Sequence, residues 1–158
     1  FPVAAMGGRK QIMSLVADGT VSMAGTYAAN VIAVAAANEA LNQLAQPGMY
    51  EGLYKVSDRL RLGLEKIFAD AGIAARVAGI GPVFQVWFTE HEIRNYRDAA
   101  RYASHDLFRL WWEGMLDRGV LFHPGAYENL FISFAHSEDD VDQTLAAARE
   151  TARAMRSH

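Results

Sequence analysis

Hydrophobic and polar positions follow three different rules along this chain, and each rule predicts its own kind of element. From Pro47 to about Ala71, Leu53, Val56, Leu60, Leu64 and Ile67 recur at helical spacing. Pro in the first turn and Gly72 just past the end supply start and stop signals. Two strands follow, "IAARVAG" and "VFQVWFT", separated by a Gly-Ile-Gly-Pro turn. In the second, alternation puts Phe84, Val86 and Phe88 on one face and Gln85, Trp87 and Thr89 on the other. A third helix is predicted from Tyr96 to Arg118, with Asn95 as cap, Asp98 three residues on, and Gly119 as stop. "VLFH" and "LFISFA" read as two further strands around a "PGAYEN" turn. The last helix opens with Ser137-Glu138-Asp139-Asp140, a capping-box pattern, and carries the core stripe Val141, Leu145 and Ala148.

The first 46 residues obey a different pattern. "PVAAM" is a short apolar run closed by Gly7-Gly8, a strand or strand end, and "GRKQIMSLVADG" gives a helical turn or two stopped at Gly19. Residues 27 to 45 hold no Gly or Pro and are Ala-rich, which predicts a strong helix. It is apolar on nearly every face, with Asn38, Glu39, Asn42 and Gln43 as its only polar wall. Such a helix is expected to be enclosed by other structure.

The element order after residue 46 is α-β-β-α-β-β-α. Tight turns between strand partners require a partly antiparallel sheet with helices on one face, so residues 47–158 form a small α+β domain. Residues 1–46 look like the trailing edge of an α/β domain whose main part lies elsewhere, and the chain as a whole is α/β in class. It opens on Phe1 rather than Met, and is expected to be a piece of a longer protein.

Composition narrows the function classes. Half of the 158 residues are apolar (51%), sufficient for a core, and the formal charge is only −3. Acids and bases are mixed, with no basic block, so nucleic acid is not expected as a partner. The longest apolar run, Val31 to Ala37, is too short to span a bilayer, and no signal-peptide pattern opens the chain, so no membrane partner is expected. The chain has no cysteine. That excludes a disulfide framework and a thiolate metal site and fits a reducing, cytoplasmic location.

The candidate chemistry is sparse. His123 and His136 sit at the ends of neighbouring strands with Glu128 between them: two turn histidines, or two ligands of a metal. The reading adopted is no metal. Asp139, Asp140 and Asp142 complement a helix dipole better than they build a metal site. Trp87, Trp111 and Trp112, with Phe108 and Met115, read as core or as the lining of an aromatic pocket. "AGIGPVF" reads as a hairpin turn, because it lacks the strand–loop–helix setting of a phosphate cradle. Gly25-Thr26 at the head of the apolar helix is open to two readings. The threonine is a plain N-cap, or the pair forms an anion site that would take a phosphate.

Three segments together carry a resemblance. "FPVAAMGGRKQIM", "GTYAANVIAVAAANEAL" and "YENLFISFAHSEDDVDQTLAAA" resemble, in order and spacing, the C-terminal third of the class III aminotransferases. These are fold type I enzymes that use pyridoxal 5′-phosphate (PLP), and the branch resembled is that of glutamate-1-semialdehyde 2,1-aminomutase and its transaminase relatives. The likeness covers essentially the whole chain. It implies an enzyme that moves an amino group through a Schiff base, as a transferase or, for a mutase, an isomerase. It implies that residues 1–46 are the end of the PLP-binding large domain together with a long interface helix. It also implies that Gly25 and Thr26 bind the cofactor phosphate of the other subunit in a homodimer, and that Glu128 lies near the amino groups of a small substrate. The lysine that bears PLP lies upstream in the family, so this chain holds no catalytic residue and is expected to be inactive alone. The alternative is a non-catalytic α+β dimerisation module of the same descent. Where the aminomutases have Ser-Gly-Asn-Pro after Gly-Thr, this chain has Ala28-Ala29-Asn30-Val31, which resembles transaminase members, including those acting on β-amino acids.

Overall fold

The computed structural model describes residue 1 and residues 3–156. The chain divides into two compact units, Phe1–Met49 and Tyr50–His158.

The first unit contains α1 (Lys10–Ala17) and α2 (Val31–Leu44). Residues 3–9 form no regular element, so the strand expected in "PVAAM" is absent there; Pro2 lies outside the described residues. A strand needs a hydrogen-bonding neighbour, and among the described residues none pairs with this segment. The helix expected over residues 27–45 begins only at Val31, after a run of turns. Of α2 only Ala33 is buried, while Val31 (79%), Ile32 (60%) and Leu41 (61%) are exposed. Within the first unit, the enclosure expected for this apolar helix is not found among the described residues.

The second unit holds the core. The helix α3 (Met49–Asp70) buries Leu53, Leu60, Leu64, Ile67 and Phe68. The strands β1 (Arg76–Ile80) and β2 (Val83–Trp87) form an antiparallel hairpin, Ile80 opposite Val83. Gly81 sits in its two-residue turn at φ +50, a conformation that glycine adopts without steric cost. The Ser57 hydroxyl, fully buried on α3, donates to the Gly81 carbonyl and ties helix to turn.

One long helix was expected from Tyr96 to Arg118, and two are found: α4 (Tyr96–Tyr102) and α5 (His105–Leu116). The break is set by a bond to the end of the second strand's segment and by a new cap. The Ser104 amide donates to the Phe88 carbonyl at 3.0 Å, and the Ser104 hydroxyl accepts from the Leu107 amide at 3.2 Å, restarting the helix. "VLFH" forms no strand, because its backbone is held by side chains: the Trp112 indole donates to the Phe122 carbonyl at 2.9 Å. Of "LFISFA" only β3 (Leu130–Phe131) pairs, antiparallel to Val83 and Phe84. The sheet order is β1-β2-β3. The chain closes with α6 (Glu138–Met155), which carries the expected capping box between Ser137 and Asp140.

Phe84, Val86 and Phe88 face a core built with α3, α5 and α6. Phe68 meets Phe88 edge-on at 5.2 Å and Trp111 at 6.0 Å, arrangements that add to simple burial. Gln85, expected on the outward face, is also buried (2% exposed). The segment after α5 covers that face, and the Gln85 amide donates to the Ala126 carbonyl at 2.6 Å.

Candidate functional site

Gly25 and Thr26 lie in the loop that leads into α2, not at its first turn. The Ala28 amide donates to the Gly25 carbonyl at 2.9 Å and the Asn30 amide to the Tyr27 carbonyl at 3.2 Å, giving two overlapping turns. Asn30 is the N-cap: its side chain accepts from Ala33 at 3.0 Å and its carbonyl from Val34 at 2.9 Å. Thr26 is therefore not the cap, and two amides of the first turn of α2 are already taken. What remains is an exposed hydroxyl at Thr26, next to a residue whose missing side chain leaves open space. A Cβ placed on Gly25 would meet no atom within 4 Å. Ala29 completes the loop at φ +56, in the left-handed region that a glycine occupies more easily.

Glu128 lies in the second unit, on the segment between α5 and β3. Its amide donates to the Gly125 carbonyl at 3.1 Å and its carboxylate side is exposed. A Cβ at Gly125 would fall 3.0 Å from the His123 ring and 3.4 Å from Cγ of Glu128, so a side chain there would press on both. Glu128 also lines a cavity of about 450 Å³ whose apolar walls include Leu64, Phe84, Trp111 and Met115.

His123 and His136 line the same cavity. Each has a ring nitrogen engaged in its own turn. Nδ1 of His123 accepts from Gly125 at 2.9 Å, and Nδ1 of His136 from Ser133 at 3.0 Å. Among the described residues, no group of three His, Asp or Glu is placed to hold a metal ion. The acidic run at α6 is used structurally. Glu138 pairs with Arg59 at 2.6 Å, as does Asp142. Asp140 accepts from the Ser137 amide at 2.7 Å, and that bond holds its pKa below the ordinary carboxylate value. Trp111 is a core residue, 1% exposed.

None of the three lysines lines the cavity beside Glu128. Lys10 and Lys55 are exposed, and Lys66, 75% exposed, pairs with Asp70 at 2.8 Å.

Sequence reasoning missed a set of contacts around Tyr127. Its ring lies 6.1 Å from Trp87, 5.2 Å from Tyr96 and 5.0 Å from His105, and its hydroxyl is 3.0 Å from Nε2 of His105. An aromatic residue directly before the candidate glutamate was the available signal. Its partners come from β2, α4 and α5, which no local pattern brings together.

Residues 1–147 match the family described as aminotransferase class-III. The glutamate-1-semialdehyde 2,1-aminomutase of Neisseria meningitidis serogroup C is 41% identical over 156 residues, covering 98% of this chain and 36% of that protein. The chain thus spans little more than a third of the length of the curated relatives it matches. Among solved structures, a β-phenylalanine aminotransferase from Variovorax paradoxus superposes with TM-score 0.79 at 26% identity, over 91% of this chain and 33% of that one. The PLP internal aldimine form of the Sphingopyxis sp. MTA144 FumI protein gives 0.68 at 28%, over 87% and 30%.

Proposed function

The chain belongs to the class III aminotransferase family, and from that premise we propose that it is the C-terminal part of a PLP-dependent aminotransferase or aminomutase. Residues 1–46 are then the end of the large PLP-binding domain with its interface helix, and residues 47–158 the small domain. The observation that carries this reading is the loop Gly25–Asn30. It presents an exposed hydroxyl and an open glycine backbone outward, as expected of a phosphate site that serves another subunit.

PLP, when bound, supplies the electron sink that lets an amino group leave one carbon for another. The residues of this chain do the holding. The Thr26 hydroxyl donates to the phosphate, and Gly25, having no side chain, lets the phosphate approach the backbone. The Glu128 carboxylate holds the substrate's amino end by charge-assisted hydrogen bonding. The lysine that carries the cofactor comes from outside these residues, since Lys10, Lys55 and Lys66 are solvated and none lines the cavity beside Glu128.

The partner is a second copy of the chain, with α2 in the contact. Its exposed Val31, Ile32, Val34 and Leu41 are an apolar surface that a dimer would bury. The substrates are small amino compounds, in line with the names of the similar aminomutase and β-phenylalanine aminotransferase.

The test is Thr26→Ala in the intact polypeptide that contains these residues, read by equilibrium binding of PLP. A hydrogen bond to a charged group is worth about 1.5–3 kcal/mol, so affinity should fall about ten- to a hundredfold. Unchanged affinity would leave Thr26 as an ordinary surface residue and remove the phosphate assignment.

A further inference from the structure

Gln85 is a polar residue kept in the core of β2, 2% exposed, between Phe84 and Val86. A buried amide is costly unless both its ends are bonded. Both are: Nε2 donates to the Ala126 carbonyl at 2.6 Å, and Oε1 accepts from the Val86 amide at 3.0 Å. A leucine would fill the same space without that demand. The amide is therefore retained for what it holds, which is the backbone two residues before Glu128.

The rest of the segment is held in the same manner. Trp112 donates to the Phe122 carbonyl at 2.9 Å. Tyr127 is fixed by its ring contacts with Trp87, Tyr96 and His105 and by its hydroxyl against Nε2 of His105. An irregular surface segment would otherwise satisfy its carbonyls with water and move. Here three anchors, drawing on β2, α4 and α5, fix the backbone and leave Glu128 exposed.

We infer that Gln85 is a positioning residue for Glu128, with Tyr127 as the second anchor of the same segment. This rests on the reading that Glu128 meets the substrate. Gln85 touches no reacting atom; it fixes the backbone from which the Glu128 side chain extends.

The experiment uses the intact polypeptide carrying Gln85→Met, Glu128→Gln or both, with Tyr127→Phe as an independent variant that keeps the ring and removes the hydroxyl. Hydrogen exchange reads the hold on the segment without reference to turnover. In Gln85→Met, amides of residues 125–129 should exchange on the order of tenfold faster, with those of α3 and α6 unchanged. Tyr127→Phe should give a smaller rise at the same amides, and carries the test if Gln85→Met does not fold. Turnover should fall about tenfold in Gln85→Met with PLP affinity unchanged. Adding Gln85→Met to Glu128→Gln should cost nothing further. Unchanged exchange at 125–129, or losses that simply add in the double variant, overturn the inference. Normal turnover in Glu128→Gln would instead overturn the placement of Glu128 at the substrate. The exchange result separates these two failures.

Discussion

Gly114 sits in the last turn of α5, where glycine costs up to about 1 kcal/mol relative to alanine. A helix keeps such a residue when a neighbour leaves no room. A Cβ at Gly114 would fall 2.6 Å from Cγ2 of Thr151 on α6 and 3.2 Å from its hydroxyl oxygen. Thr151 is β-branched and 1% exposed, so it has no rotamer to retreat into. Gly114→Ala therefore gains about 1 kcal/mol of helix propensity and loses about 1–3 kcal/mol to overpacking, for a net loss near 1 kcal/mol. The sign should reverse in the double variant. Thr151→Ala removes the clashing methyl and also a buried hydroxyl that has no hydrogen-bond partner, a group that costs about 1–3 kcal/mol. With the alanine methyl at 114 filling the vacated space, Gly114→Ala/Thr151→Ala should exceed the parent chain by about 1–2 kcal/mol. Urea unfolding followed by tryptophan fluorescence is the assay. Trp87, Trp111 and Trp112 all lie in the second unit, so the signal reports that unit alone. A single Gly114→Ala variant more stable than the parent chain would refute the close-approach argument. So would a double variant that is merely the sum of its parts.

Ala35→Glu on α2 should leave one subunit folded, because Ala35 is exposed in the single chain, but should weaken the proposed dimer of the intact enzyme. An unpaired charge in an apolar contact costs several kcal/mol, so the dimer dissociation constant measured by sedimentation should rise a hundredfold or more, by order of magnitude; an unaltered dimer would exclude α2 from the interface. Acidification tests the α6 cap. The pKa of Asp140 is lowered by hydrogen bonds from Ser137, so its stabilisation is fully present above the ordinary value of 3.8 and is lost as pH falls through the lower native value. Asp140→Asn, which leaves no carboxylate to protonate, should flatten that acid loss in a pH series of urea midpoints, and an identical acid profile would show that the bonds do not form in solution.

Much of the second unit was legible because its elements are locally determined. The stripe of α3, the two-residue hairpin turn and the Ser137–Asp140 box are all short-range signals, and each appears where expected. What the pattern missed depends on distant partners. The split at Ser104 needs the Phe88 carbonyl, and the burial of Gln85 needs Ala126, 41 residues away. "VLFH" is as apolar as a strand, yet the indole of Trp112 takes its carbonyl in place of a ladder. At the candidate site, Gly25-Thr26 was found by its chemistry, but its place was misread. Asn30 outcompetes Thr26 as the cap because it stands directly before the first helical residue. The apolar face of α2 was visible in the sequence, and among the described residues only Ala33 of that helix is buried.

The central claim is that these residues complete a PLP enzyme of the aminotransferase kind. The most direct measurement is the visible absorbance spectrum of the intact, purified polypeptide before and after an amino donor is added. The account predicts a bound-cofactor band that changes with the donor and is restored by an amino acceptor. A protein that reconstitutes with no such band, or whose band ignores every amino donor offered, would contradict it.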